Sequence, residues 1–278
     1  MVSSRALALI AVLDLSFVPA RATPAASGPQ RIVSLVPSTT EDLFALGLGS
    51  RVVGVSAYST FPAAAKRLPV ISDYSRVDVE RILALHADLA LGITSQGRFA
   101  ADLRRAHVPV ALFADDSLRD VDAGLRGIGA RTGTAARAAS LVRTLHARTD
   151  ALVRGRAHHA RTPTVFVVLG TAPITTLGAQ SYIAQLIALA GGRDSAHLQA
   201  AYGEYSPEQL LIDQPDVLIV DPSVTFDTLR ATAPWNALRA VREHHVFVLT
   251  DPDVLLRPGP RYNEGLAWLI ARLRELPA

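Results

Sequence analysis

Cysteine is absent from the 278-residue chain. The protein therefore has no disulfide framework, no thiolate metal site and no cysteine nucleophile. Runs of like charge are missing too, because no five consecutive residues carry the same charge. The net charge of +3 comes mostly from arginines spread along the chain. This pattern argues against nucleic acid as a partner.

Enzyme motifs are also missing. The chain contains no G-x-S-x-G elbow, no G-x-x-x-x-G-K-[ST] loop and no G-x-G-x-x-G after a strand. A dispersed hydrolase site is the alternative from the enzyme class, and recovery of an unaltered ligand after dialysis would exclude it. The histidines form no cluster with carboxylates of the kind that binds zinc or manganese, so no metal site is predicted.

Only residues 1–22 resemble a targeting segment. Arg5 precedes the apolar runs 6–13 and 15–18, and Ala20-Arg21-Ala22 fits the small-x-small rule for signal-peptide cleavage. The apolar region is too short and too broken for a membrane span. With no cysteine after it, a lipoprotein anchor is excluded. We expect a secreted, periplasmic protein with a flexible lead-in over residues 23–30.

The segment 134–159 is predicted to form one long helix. Its apolar residues recur close to the i, i+3, i+4, i+7 spacing of a helical stripe, and no glycine or proline interrupts 134–153. About 25 residues would extend about 37 Å. Such a helix can join two lobes, whereas an ordinary surface helix within one domain is the alternative.

The segments on either side of this helix resemble each other. The sequence DVERILALHADLALG at 78–92 matches SPEQLLIDQPDVLIV at 206–220, with Glu208 following Glu80 and Asp216 following Asp88 by 128 residues. The sequence VPVALFADD at 108–116 similarly resembles HVFVLTDPD at 245–253. Alternating strands and helices indicate βαβ units with mainly parallel sheets. We therefore predict an α/β protein with lobes at 31–133 and 160–278.

Residues between these lobes are the candidate ligand-binding set. A strand over 32–36 precedes Pro37 and Ser38, and Ser38 with Glu41 matches a capping box that would start a helix over 39–46. Ligands of such sheets bind outside the carboxyl ends of the strands and at domain interfaces. Loop aromatics in both halves suit a bulky planar ligand, and Arg257 is a candidate for a carboxylate or amide contact. The predicted ligand-binding residues are Pro37, Ser38, Tyr58, Tyr74, Tyr202 and Arg257.

Together these segments resemble the periplasmic substrate-binding proteins of iron-siderophore, haem and cobalamin ABC importers. The motifs that carry the resemblance are RIVSLVPSTTE, VGVSAYSTFP, DVERILALHADL, SYIAQLIALAGG, SPEQLLIDQPDVLIV and RPGPR, in that order. The resemblance implies two Rossmann-like α/β lobes joined by one long rigid helix. It covers about 31–275 and is greatest for the cobalamin-binding members.

The resemblance also implies roles for individual residues. Tyr58 matches a tyrosine of the cobalamin site, and Tyr74 and Tyr202 fall where those proteins have tryptophans. Glu80 and Glu208 match surface glutamates that meet arginines on the permease in the inner membrane. We expect a monomer without a cofactor of its own, whose cargo is a metal-containing tetrapyrrole.

Two other cargoes fit the same resemblance. Haem would use Tyr202 as an axial tyrosinate, and His197 lies five residues earlier. A ferric siderophore would place its negative charge near Arg257.

Overall fold

The computed structural model describes residues 28–73 and 75–277. The predicted signal peptide, most of the predicted lead-in and Tyr74 lie outside the described residues. Before the long helix, five strands form one parallel sheet in the order β3-β2-β1-β4-β5. These strands are β1 (Ile32–Ser34), β2 (Val52–Ser56), β3 (Val70–Ser72), β4 (Leu89–Ile93) and β5 (Val110–Phe113).

Three helices connect strands of this sheet, as βαβ crossovers commonly do. They are α1 (Pro37–Ala45), α2 (Val79–Ala84) and α3 (Gly97–Arg105), and α4 (Leu118–Thr132) follows β5. The predicted capping box at Ser38 is wrong, because α1 begins at Pro37 with Val36 as its N-cap and without a side-chain cap. Proline suits this first position since its fixed φ is already helical and it has no N–H to leave unpaired. Glu41 does not reach back to the helix N-terminus and is instead bound by two arginines of the second lobe.

The long helix α5 (Ala135–Arg154) contains 20 residues, which corresponds to about 30 Å. The prediction that it continues to residue 159 is wrong, because helical structure ends at the C-cap Gly155. Glycine is a poor helix former, and residues 155–160 add no large apolar side chain to the stripe.

Helix α5 is attached to both lobes. On the first-lobe side it packs along α4, and Arg137 donates to the carbonyl of Leu46. On the second-lobe side Asn263 donates to the carbonyl of Leu145 and accepts from Thr149. Relative movement of the lobes is therefore limited by contacts at both ends of the helix.

After α5 the chain forms two sheets. A parallel sheet has the order β12-β11-β6-β9, and a small antiparallel sheet has the order β10-β8-β7. The strands are β6 (Thr164–Val168), β7 (Gly170–Thr171), β8 (Ile174–Leu177), β9 (Arg193–Asp194), β10 (Tyr202–Glu204), β11 (Val217–Val220) and β12 (Val246–Val248). The helices are α6 (Tyr182–Ala190), α7 (Pro207–Asp213), α8 (Phe226–Ala231), α9 (Arg239–Arg242), α10 (Asp253–Leu256) and α11 (Tyr262–Leu273).

The two lobes repeat one structural device, which agrees with the sequence repeat. Asp88 accepts the backbone N–H of Arg31 just before β1 at 2.9 Å, and Asp216 accepts that of Thr164 at the start of β6 at 2.8 Å. Each aspartate thus joins the start of one central strand to the turn before its neighbour. The predicted α/β fold with mainly parallel sheets and a long joining helix is confirmed.

The apolar core is continuous between the lobes. One cluster of buried side chains includes Ile32 and Leu91 of the first lobe, Val142 of α5, and Val167 and Leu269 of the second lobe. Burying apolar surface stabilises the fold roughly in proportion to the area removed from water. Opening the lobes widely would expose part of this shared core, so the space between them is largely preformed.

Candidate ligand-binding cleft

A cavity of 350 Å³ lies between the lobes, beside the carboxyl ends of β1 and β4. The strand order changes direction at this pair, with β2 and β3 on one side and β5 on the other. Loops leaving the two strands diverge, which creates the crevice where α/β proteins bind ligands. The lining residues are Val36, Pro37, Ser38, Ile93, Ser95, Asp115, Asp116, Ser181, Ala201, Tyr202, Leu256, Arg257 and Pro258.

Hydroxyl groups fix the first-lobe wall. Thr40 donates to Ser34 at 2.8 Å, and its oxygen lies 2.9 Å from that of Ser59. Ser59 is also 3.0 Å from Ser56. This chain of hydrogen bonds is buried and links β1 and α1 to the loop after β2. That loop carries Tyr58, so its backbone is held in place beside the cavity.

Tyr202 belongs to the second-lobe wall. The sequence placed it in a loop, whereas the structure has it in β10, paired with Leu177 of β8. Its hydroxyl is hydrogen-bonded to the side chain of Ser181. Partial burial raises the pKa of Tyr202, and the nearby carboxylates of Asp115 and Asp116 raise it further. The phenol therefore keeps its proton at neutral pH.

Asp115 and Asp116 form an acidic lip at the end of β5, on the first-lobe side of the cavity. Burial raises the pKa of Asp115 to about 6, with smaller contributions from the charges of Asp116 and Asp120. Sequence reasoning missed both lip residues. A signal was available, since an acidic pair shortly after an apolar strand stands at the carboxyl edge of the sheet, where ligands bind.

The inter-lobe clamp consists of Glu41, Arg257 and Arg261. The Glu41 carboxylate is 2% exposed and accepts from Arg261 Nε at 2.8 Å and Nη2 at 3.0 Å. Arg257 Nη1 is 3.3 Å from the same carboxylate, and its Nη2 is 2.8 Å from Asp253. Thr60 of the first lobe adds a 3.0 Å hydrogen bond to Asp253. Charge-assisted and bidentate hydrogen bonds of this kind are stronger than hydrogen bonds between neutral groups.

The role of Arg257 as a carboxylate or amide contact of the ligand stays a prediction. Its guanidinium lines the cavity, but it is occupied by Glu41, Asp253 and the carbonyl of Tyr58, to which it donates at 2.9 Å. Tyr58 does not line the cavity, although its side chain is 51% exposed and this hydrogen bond places its backbone beside Arg257. The structure therefore brings Pro37, Ser38, Tyr202 and Arg257 together, with Tyr58 adjacent.

Another loop aromatic of the second half does not belong to the cleft. Tyr205 is buried against Phe166, with ring centroids 5.4 Å apart, and its hydroxyl donates to Asp213 at 2.5 Å. His197 pairs with the same Asp213 at 3.3 Å, away from the cavity lining. Within residues 28–73 and 75–277, no three histidine, cysteine or acidic side chains are placed to bind a metal ion.

Glu80 and Glu208 occupy matching positions, each the second residue of a short helix, α2 or α7. Both are exposed. Ser206 donates to Glu208 at 2.6 Å and lowers its pKa, so this carboxylate is charged. Among the residues that the structure describes, no helix combines the length and the apolar character that crossing a membrane requires.

Residues 32–252 match the family model described as periplasmic binding protein. The chain belongs to this family. This periplasmic binding protein is 29% identical to the uncharacterized ABC transporter substrate-binding lipoprotein YvrC of Bacillus subtilis (strain 168), over 86% of this chain and 78% of that protein. It is also 29% identical to a vitamin B12-binding protein of Vibrio parahaemolyticus, over 84% and 85% of the two chains.

Among solved structures, the periplasmic heme-binding protein RhuT from Roseiflexus sp. RS-1 is similar at a TM-score of 0.78 and 31% identity. The match covers 88% of this chain and 98% of RhuT. YvrC is named as the substrate-binding protein of an ABC transporter. The periplasmic binding protein described here is thus a substrate-binding component of an ABC transporter. It acts outside the cytoplasm with a small-molecule ligand and an ABC permease as partners.

Proposed function

We propose that this protein captures a cobalamin-like corrinoid between its lobes and delivers it to its ABC permease. The vitamin B12-binding relatives support this cargo. The observation that carries the proposal is the chemistry of the cavity, which combines an acidic lip with a neutral phenol and several hydroxyl groups.

The charges around the cavity favour an amide-rich cargo. A corrin ring carries amide side chains, whose N–H groups donate well to carboxylates such as those of the acidic lip. Haem carries two propionates, and ferric siderophores are commonly anionic, so both would meet repulsion there. Arg257 is the only cation among the described residues that line the cavity, and Glu41 and Asp253 already neutralise it.

The size of the cavity bears on how the cargo binds. Its 350 Å³ is near the lower end of ligand pockets, which span about 300–1,000 Å³. A corrinoid would insert one edge and leave the remainder at the cleft mouth. The shared core keeps the cleft preformed, so little binding energy is spent on closing the lobes.

Haem is the second candidate, favoured by the likeness to RhuT and by the Tyr202 phenol at the cavity. A tyrosinate ligand requires loss of the phenolic proton, which the partial burial of Tyr202 and the charges of the nearby acidic lip oppose. His197 offers no second axial ligand at the cavity, since it pairs with Asp213.

Calorimetric titration with cyanocobalamin and with haemin tests the proposal. We expect cyanocobalamin to bind, and Tyr58→Ala combined with Tyr202→Ala to weaken binding by about 30-fold or more, as for buried aromatic contacts elsewhere. Val248→Ala is a matched control, because Val248 is exposed and does not line the cavity.

The acidic lip supplies a second arm of the experiment. Asp115→Asn with Asp116→Asn should raise the affinity for haemin relative to the affinity for cyanocobalamin. The two substitutions remove the carboxylate charges that repel the haem propionates. A shifted Soret band with haemin, together with no heat from cyanocobalamin, would reject the corrinoid in favour of haem.

A further inference from the structure

The helices α2 and α7 expose apolar side chains next to their glutamates. Leu83 follows Glu80 by three residues and is 46% exposed. Leu211 follows Glu208 by three residues, and Ile212 follows it by four and is 74% exposed. Residues three and four apart on a helix are surface neighbours, so each glutamate stands beside an apolar patch.

These exposed side chains are not the main contacts that hold the helices to their lobes. That role belongs to Ile82 and Leu210, which are fully buried at equivalent positions of the repeat. Single exposed apolar residues are normal on protein surfaces. Here, however, the same pattern of exposed glutamate, buried aliphatic and exposed leucine recurs at equivalent positions of two lobes.

The first turns of the two helices, which carry Glu80 and Glu208, lie on the side of the molecule where the cleft opens. Helix α2 leads from β3 back to the start of β4, so its first turn lies at the carboxyl edge of the sheet. Helix α7 leads in the same way into β11. Cargo and both glutamates therefore face one partner, and each apolar patch lies one helical turn from its glutamate. Two such sites match a partner built with two-fold symmetry.

We propose that Leu83, Leu211 and Ile212 are apolar anchors of the surface that docks on the permease. This inference rests on the proposed delivery to that permease. The partner presents two related sites, each a cation that faces Glu80 or Glu208 with an apolar depression beside it. The acids supply charge complementarity, and the aliphatic side chains are buried once the complex has formed.

The two sites are unequal. In the first lobe the residue after Leu83 is Ala84, whereas in the second lobe the residue after Leu211 is Ile212. The second-lobe patch thus has more apolar surface to bury, and apolar burial increases with area. The second lobe is the stronger anchor of the docked complex.

Kinetics separate the two kinds of contact. Exposed charges at an interface act mainly on the association rate and its salt dependence. Buried apolar contacts act mainly on the dissociation rate. Replacing the glutamates should therefore slow association, and replacing the aliphatic residues should speed dissociation without changing association.

The experiment measures binding of the cargo-free chain to the importer's permease in lipid nanodiscs by surface plasmon resonance. We expect Ile212→Ala to dissociate about tenfold faster and Leu83→Ala about threefold faster, typical of anchor and peripheral contacts respectively. Val248→Ala, a replacement of an aliphatic residue exposed to 41% on β12, is the control and should match the wild-type chain.

Two outcomes decide the inference. Faster dissociation of Ile212→Ala and Leu83→Ala, with unchanged melting temperature and cyanocobalamin affinity, supports it. Dissociation rates equal to that of Val248→Ala overturn it. Failure of the proposed cargo would look different, because the wild-type chain would then bind the nanodiscs but not cyanocobalamin.

Discussion

Replacing Glu41 with glutamine tests the clamp that joins the lobes beside the cleft. The carboxylate is 2% exposed, and the arginines that bind it, Arg257 and Arg261, are 14% and 11% exposed. Glutamine keeps the shape of the side chain but removes its charge and turns an amide N–H₂ toward two donors. Removing one partner of a buried ion pair costs about 3–5 kcal/mol.

Two features of the site place the expected loss at the lower end of this range. Arg257 and Arg261 keep their second partners, Asp253 and Asp251. Asp42 is buried next to Glu41, and burial with the Glu41 charge raises the pKa of Asp42 well above its usual value. Glu41→Gln removes the repulsion between the Glu41 charge and an ionised Asp42. We therefore expect a loss of about 3 kcal/mol, or a fall in melting temperature of about 6–12 °C.

Differential scanning calorimetry of the chain measures this change. Glu243→Gln is the control, because Glu243 is half exposed and its nearest basic side chains, His245 and Arg239, are 3.7 and 3.8 Å away. Its loss should cost less than about 1 kcal/mol. A double-mutant cycle of Glu41→Gln with Arg261→Met should give a coupling energy of about 1–3 kcal/mol. The reasoning is refuted if Glu41→Gln melts within about 2 °C of the wild-type chain.

Three further predictions concern the neighbouring core, a tight turn and the docking surface. Asp42→Asn should stabilise the chain more at pH 8 than at pH 4, as measured by urea unfolding. The raised pKa of Asp42 means that the folded state binds this proton more tightly than the unfolded state does. The stability of the wild-type chain therefore falls as the pH rises above about 3.9, the pKa of an unperturbed aspartate. Gly47→Ala should cost about 1–3 kcal/mol in the same assay, because Gly47 has a φ of +71° and a Cβ would overlap Arg137. Glu80→Ala with Glu208→Ala should leave cyanocobalamin affinity unchanged in calorimetry but reduce uptake by cells, and normal uptake would exclude their docking role.

Much of the fold could be predicted because it depends on local patterns. Apolar periodicity located α5, and the repeated spacing of Glu80 with Asp88 and Glu208 with Asp216 indicated two equivalent lobes. Such patterns predict the folded structure because side-chain periodicity follows directly from helix and strand geometry. Pro37 and Ser38 could be placed near the cleft for a similar reason, as residues that follow a parallel strand lie at its carboxyl edge.

Glu41 shows why part of the site could not be predicted in this way. Its spacing from Ser38 fits a local capping box, yet its partners Arg257 and Arg261 are 216 and 220 residues away. Local patterns contain no information about contacts at that separation. The acidic lip differs from Glu41, because its position after β5 was a local signal, and only its approach to Tyr202 depends on the assembly of the two lobes.

The sequence by itself determined the βαβ order, the duplication of the lobes, the helix between them and the placement of Glu80 and Glu208 at equivalent helix starts. Each of these follows from spacing within about 30 residues or from comparing two such stretches. Only the tertiary structure decided which charges are buried, that Arg257 serves the clamp, and that Asp115 and Asp116 face the cavity with Tyr202. Burial and electrostatic pairing depend on which distant segments pack together, and that packing arises from the whole folded chain.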